Sequence, residues 1–354
     1  MNKQDKIKNF DPSAPGNINN NLFGLPFNTA DAEVVIIPVP WDGTASYSGG
    51  TANGPQAIFD ASMQVDLYFP GIPDAWKLGV AMEEVSEKWH KESVETRSQT
   101  EKYFDFLADG GNPDKSKGVK ALIAKVNKTG KKLNDWVRER SLKYLKQGKI
   151  VGVLGGEHST PQGLMEALGE HYSSYGILQI DAHADLRVAY EGFEHSHASI
   201  MYNAIQIKAV EKLVQVGIRD ICQEEVDIIE KNKKKINTFY FADIAEATYN
   251  GTPFAKVCDD IIKALPKNVY ISFDIDGLDP KLCPNTGTPV AGGFEFQQMV
   301  YLIRRVVEAK KTIIGFDLNE VTPGNDEWDA NVGARMLYVL TNYTALSQGK
   351  FKQK

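Results

Sequence analysis

The chain has 354 residues, 42% of them hydrophobic and 24% charged, with a mean hydropathy of -0.33; this excludes global disorder and a membrane-spanning chain and leaves room for a large core. Forty Lys and Arg against 46 Asp and Glu give a net charge of -6, so no basic surface suits a phosphate backbone and nucleic acid is not an expected partner. Cys222, Cys258 and Cys283 match neither a disulfide framework nor a zinc pattern, and the N-terminal stretch has no apolar export segment, which together predict a cytoplasmic location away from membranes.

In chain order, residues 1–30 are rich in Asn, Pro and Asp without periodicity and read as an irregular N-terminal arm. Val34 to Val39 opens a series of short apolar runs that continues at Ile150–Leu154, Gly176–Ile180, Val214–Ile218, Val269–Phe273 and Ile313–Phe316. Runs of this kind are strands buried on both faces. Helical spacing lies between them at about Lys120–Lys146, Pro161–Tyr172, His197–Ile207, Glu224–Lys231, Phe254–Leu265 and Phe296–Ala309. Strand alternating with helix predicts an α/β chain with a mainly parallel sheet covered on both faces. The charged stretch at about 86–117, broken by Gly110, Gly111 and Pro113, reads as a polar insertion on the periphery.

Chemistry gathers where the apolar strands end. His158, His183, His195 and His197 fall in the segments that follow strands, at the sheet edge where open α/β folds hold their ligands. In Asp181-Ala182-His183-Ala184-Asp185 an extended backbone turns residues 181, 183 and 185 to one side, and the same alternation pairs Asp274 with Asp276. Gly155-Gly156 permits a sharp turn and close backbone approach before Glu157-His158-Ser159. Each motif alone also fits an ordinary strand-end turn. Together they bring imidazoles and carboxylates that cannot all stay ionised side by side without compensation, and two divalent cations would balance the four carboxylates. Oxygen ligands with imidazoles suit Mn²⁺, with Ni²⁺, Co²⁺ or Zn²⁺ as alternatives.

These residues resemble the ureohydrolases, the family that includes arginase, agmatinase, guanidinobutyrase and formiminoglutamase. The signatures G-G-[DE]-H-S, D-A-H-x-D and S-F-D-[IV]-D-x-[LM]-D-P stand here at Gly155–Ser159, Asp181–Asp185 and Ser272–Pro280. The resemblance implies a three-layer α/β/α fold with a parallel sheet of about eight strands, forming one domain over residues 31–354, and a homo-oligomer, trimer or hexamer. It implies a binuclear manganese site, with nickel the main alternative: His158, Asp181, Asp185 and Asp274 on one metal, and Asp181, His183, Asp274 and Asp276 on the other. It also implies that a downstream histidine moves protons, for which His197 is the better match and His195 the competitor, and that Glu320 grips a guanidinium, which a carboxylate can pair with bidentately. The implied activity is hydrolysis of a small cationic guanidino compound to urea and an amine.

The substrate itself is the open point. The loop Leu186–Glu194 lacks the Asn and Ser by which arginases read an amino acid carboxylate, although Arg187 could face one. The loop Thr44–Pro55 is smaller and more neutral than its agmatinase counterpart. The longer agmatinase-like members are the nearest likeness, so the expected reaction is agmatine to putrescine, with guanidine, arginine or guanidinobutyrate as alternatives. Glu191, Glu194 and His195 are weak candidates for substrate contacts, and Tyr47, Tyr190 and Trp328 for pocket walls. A one-metal deacetylase-like amidohydrolase and a non-catalytic relative are the rivals.

Overall fold

A computed structural model describes residues 1–351. The strands are β1 (Val34–Val39), β2 (Val80–Met82), β3 (Ile150–Gly155), β4 (Tyr175–Ile180), β5 (Val210–Ile218), β6 (Ile236–Tyr240), β7 (Asn268–Asp274) and β8 (Thr312–Asn319). They form one eight-stranded sheet in the order β2-β1-β3-β8-β7-β4-β5-β6, and every pairing is parallel. The helices are α1 (Lys3–Asn9), α2 (Gly54–Ala61), α3 (Glu87–Ala108), α4 (Lys117–Leu145), α5 (Gln162–His171), α6 (Ile200–Ala204), α7 (Gln223–Lys231), α8 (Phe241–Tyr249), α9 (Phe254–Ala264), α10 (Phe296–Glu308) and α11 (Trp328–Ser347).

Alternate residues of each apolar strand pack into two different cores. Ile36, Leu178, Val214 and Ile271 join one with α2, α8, α9, α10 and α11. Val35, Ile37, Ile177 and Leu213 join the other with α4, α5, α6 and α7. The period of two thus sends each strand to both faces, which is why the runs are continuously apolar. No helix of the described residues is long and apolar enough to cross a membrane.

Two segments differ from the sequence reading. The arm at 1–30 is not irregular throughout: Asn2 caps α1 through a capping box, Lys3 Nζ donates to Leu78 O at 2.6 Å, and Leu22, Phe23, Leu25 and Phe27 are buried in the core. The stretch at 86–117 is not a loose excursion either. Most of it is α3, started by Ser86, whose side chain accepts from Trp89 N. Its polar residues mislead because Ser93, Thr96 and Thr100 are buried, and Ser93 and Thr100 bond to a neighbouring loop.

Candidate metal centre

The residues singled out by sequence leave β3, β4, β7 and β8, the four strands that lie side by side at the middle of the sheet. Their carboxyl ends form one crevice. The turn after β3 requires glycine: a Cβ on Gly155 would lie 1.9 Å from Asn319 Oδ1, and one on Gly156 would lie 2.1 Å from Trp41 O. That tight exit buries His158. The alternation expected for 181–185 and 274–276 is not what gathers the carboxylates. Asp185 has a left-handed backbone at φ 54°, and Asp276 sits in a single 3-10 turn, Ile275–Gly277, capped by Asp274. Turns, rather than pleats, aim these side chains inward. Glu320, just beyond β8, is also left-handed at φ 65°; such positions cost on the order of 1–3 kcal/mol and persist where the surroundings impose them.

Around His158, Nδ1 lies 3.0 Å from Asp181 Oδ2, 3.0 Å from Asp185 Oδ2 and 3.2 Å from Asp274 Oδ2. This nitrogen is buried without a hydrogen-bond partner, while Nε2 is occupied by Ser272 Oγ at 2.9 Å. Around His183, Nδ1 lies 2.9 Å from Asp276 Oδ2 and 3.7 Å from Asp181 Oδ1. Two groups therefore have donor atoms close enough to share an ion, His158 with Asp181 and Asp185, and Asp181 with His183 and Asp276. Asp181 belongs to both. An unpartnered imidazole nitrogen ringed by carboxylates fits a divalent cation, because a single N–H could satisfy only one of them.

Electrostatics say the same. Burial pushes Asp274 well above the carboxylate range, and the charges of Asp276 and Asp181 push it further. Asp185 is raised to about 7, first by burial and then by Asp181. Asp181 goes the other way: although burial opposes it, the adjacent imidazoles of His158 and His183 hold its carboxyl down. Both histidines are pulled well above their ordinary range against burial, His158 by Asp181, Asp185 and Asp274, and His183 by Asp276 and Asp181.

Beside this cluster lies a second pair of carboxylates. Glu320 Oε1 accepts from His158 N at 2.8 Å. Glu157, to which the sequence analysis gave no role, is wholly buried and accepts from Thr44 N at 2.9 Å, Thr44 Oγ1 at 2.5 Å and Ser159 Oγ at 2.6 Å. Burial raises Glu157 to about 7 and, joined by the charge of Glu157, raises Glu320 well above its usual value. An incoming cation would relieve both.

The cluster opens into a cavity of about 230 Å³ whose walls include Ser46, Arg187, Tyr190, His197, Asp220 and Thr288. His197 Nε2 is 3.3 Å from Ser46 Oγ, and burial, followed by the charge of His183, lowers it to about 4. His195 lies elsewhere, with Nδ1 3.1 Å from Asn134 Nδ2 and from Gln162 Oε1. Glu191, Glu194, Tyr47 and Trp328 are not among the cavity walls: Glu194 is exposed, Tyr47 is 79% exposed, and Trp328 Nε1 donates to Lys281 O. Asp220 and Ser46 were not foreseen, since no motif marks either.

Comparison with known proteins gives this arrangement a family. The arginase family profile matches residues 32–341. The chain belongs to the arginase family. Within that family it is 31% identical over 321 residues to N(1)-aminopropylagmatine ureohydrolase of Thermus thermophilus, covering 90% of this chain and 92% of that protein. It is 30% identical over 302 residues to agmatinase of Halalkalibacterium halodurans, covering 84% and 87%. Among solved structures, the agmatine ureohydrolase of Thermoplasma volcanium superposes with a TM-score of 0.67 at 23% identity over 90% and 92% of the two chains. The arginase of Bacillus subtilis superposes at 0.60 and 21%, over 87% and 98%. The arginase-like fold is thereby established, and the protein is a hydrolase of the ureohydrolase family.

Proposed function

We propose that this arginase-family chain is a binuclear-metal amidinohydrolase that cleaves agmatine to urea and putrescine, with Mn²⁺ as its metal and Ni²⁺ as the alternative. The observation that carries the reading is the buried, unpartnered Nδ1 of His158 among Asp181, Asp185 and Asp274, next to His183 and Asp276. In this reading His158, Asp181, Asp185 and Asp274 hold one cation, and Asp181, His183, Asp274 and Asp276 hold the other. When bound, such a pair supplies a nucleophile at neutral pH and Lewis-acid polarisation.

The remaining steps belong to side chains. Glu320, one oxygen fixed by His158 N, offers the other to the planar guanidinium. Glu157 adds to the negative field that selects a cation. Water adds at the guanidino carbon, the bond from carbon to the substituted nitrogen breaks, and urea leaves. His197, neutral at pH 7, accepts a proton and passes it to the departing amine; its place in the cavity wall supports it over His195 for this task. Asp220, whose carboxylate is largely exposed in the same wall, is the better candidate than Glu191 or Glu194 for the distal ammonium. The proposal includes a homo-oligomer and a cytoplasmic location, supported by family likeness and by free thiols at Cys222, Cys258 and Cys283.

Free guanidine as substrate is a second reading. It is favoured by the cavity's size, about 230 Å³ against roughly 300–1,000 Å³ for sites that take drug-sized ligands, and by Arg187 in its wall, which would repel a distal ammonium. Urea release from agmatine, guanidine, arginine and 4-guanidinobutyrate by manganese- and nickel-loaded protein tests both. Selective turnover of agmatine supports the first reading, selective turnover of guanidine the second, and urea from none of them overturns the proposed activity.

A further inference from the structure

Helix α3 reaches both loops that wall the cavity. Ser93, Arg97 and Thr100 are spaced four and three residues apart and so share one face. That face binds the segment 42–50 at successive points. Ser93 Oγ donates to Asp42 Oδ1 at 2.8 Å and accepts from Asp42 N at 2.9 Å, while Asp42 Oδ2 accepts from Gly50 N at 2.8 Å and ties the segment's two ends together. Thr100 Oγ1 donates to Gly43 O at 2.8 Å. The Arg97 guanidinium donates to Ala45 O through Nη1 and to Tyr47 O at 3.1 Å through Nη2, on either side of Ser46. Ser93 and Thr100 are fully buried. These bonds hold loop carbonyls that no strand or helix satisfies.

One turn further along, the same helix holds the other wall. Tyr103 Oη donates to Glu191 O at 2.9 Å, and Tyr103 and Phe104 stack edge-on against Phe193 with ring centroids 5.5 and 6.0 Å away. From α4, Asn127 Nδ2 donates to Gly192 O at 3.0 Å. Ser46 and Tyr190, one from each loop, face the same cavity. A single rigid helix thus bridges the loops that set how far apart those side chains stand.

We propose that α3 is a strap that fixes the width of the cavity mouth, and through it the longest linear guanidino compound the site accepts, with Arg97 as its main positioning residue. The proposal rests on the amidinohydrolase reading. Arg97 touches no reacting atom; it acts through the carbonyls of Ala45 and Tyr47. Releasing them lets Ser46 swing away, so long substrates gain relative to short ones, whereas Thr44 remains anchored on Glu157.

The test compares the metal-loaded full-length protein with Arg97→Ala, Arg97→Lys and Thr100→Val, the last cutting the tie to Gly43 at nearly constant volume. Amide hydrogen exchange is followed across residues 42–50, and kcat and KM are measured for guanidine, agmatine and aminopropylagmatine. The strap predicts faster exchange in that segment for Arg97→Ala. It also predicts a rise of about tenfold in the ratio of kcat/KM for the longest compound to that for the shortest, carried by KM, the scale of one lost hydrogen bond to a charged group. Thr100→Val should move both readouts the same way by less, and Arg97→Lys should restore part of the selectivity. Unchanged exchange, or an equal fall in kcat for all three compounds, overturns the strap while leaving the activity. Urea from none of them with the wild-type chain overturns the amidinohydrolase reading and the size limit with it.

Discussion

Asp276→Asn separates metal binding from folding. Asp276 Oδ1 accepts from Ala182 N at 3.0 Å, a bond an amide oxygen can keep, while Oδ2 faces His183 Nδ1 at 2.9 Å and would be replaced by a poor ligand. One group of donors, Asp181 with His183 and Asp276, then loses a charged oxygen. Loss of one preorganised electrostatic partner typically costs 10²–10³ in rate, so turnover should fall by about 10²–10³, or roughly 3–4 kcal/mol of barrier. Without metal the two effects of the lost charge oppose each other. After burial, Asp276 is the largest cause holding Asp274 high, so its removal relieves that carboxyl, but it is also the largest attraction raising His183. The chelated variant should therefore melt close to the chelated wild type, and it should gain less on metal addition because its affinity is lower. Paired thermal melts with and without chelator, together with urea release, read all of this. A variant that gains as much on metal addition as the wild type, or turnover within about tenfold of it, would refute the reasoning.

Other outcomes follow from the same geometry. In the chelated protein Glu157 and Asp185 titrate near 7, and Asp274 and Glu320 are raised further. The folded state therefore binds more protons than the unfolded state, so stability should fall as pH rises from 6.5 to 8; His197, lowered to about 4, stays neutral when folded and adds little slope there. Melting temperatures that rise over that interval would contradict it. Asp317, raised to about 6 by burial, accepts from Ser272 Oγ at 3.1 Å, which in turn meets His158 Nε2; Asp317→Asn should weaken metal binding about 10–100-fold in a calorimetric titration, and unchanged affinity would remove its orienting role. Asp220→Asn should raise KM for agmatine by about tenfold, the scale of one charge-assisted contact, and leave guanidine kinetics as they were. Equal effects on both substrates would deny it contact with the distal ammonium.

The central strands and the residues that cluster at their ends were legible because their physics is local. Continuous apolar runs such as Val34–Val39 can only be strands buried on both sides, and the motifs at 155, 181 and 274 follow such runs directly. What was missed depends on contacts made at a distance. β2 is three residues long and β6 is only half-buried, as edge strands are, so neither carries a strong apolar signature. α11 is buried on nearly every side and thus has no amphipathic stripe to detect. α3 hides its inner face behind Ser93, Thr96 and Thr100, residues that look solvated until the loop bonded by Ser93 and Thr100 is in place. At the site, alternation picked out residues that do cluster, but for an incorrect reason, because the turn at Ile275–Gly277 and the left-handed Asp185 do the gathering. Asp220 and Ser46 carry no motif and emerge only when β4, β5 and the loop after β1 meet.

The most direct test of the binuclear reading is a titration of metal-free protein with Mn²⁺, following urea release from agmatine against metal equivalents per chain. The arrangement of His158, Asp181, Asp185 and Asp274 beside His183 and Asp276 predicts that the rate climbs until two equivalents are bound and then stays level. A rate that is full at one equivalent, or two equivalents bound with no urea formed, would contradict it.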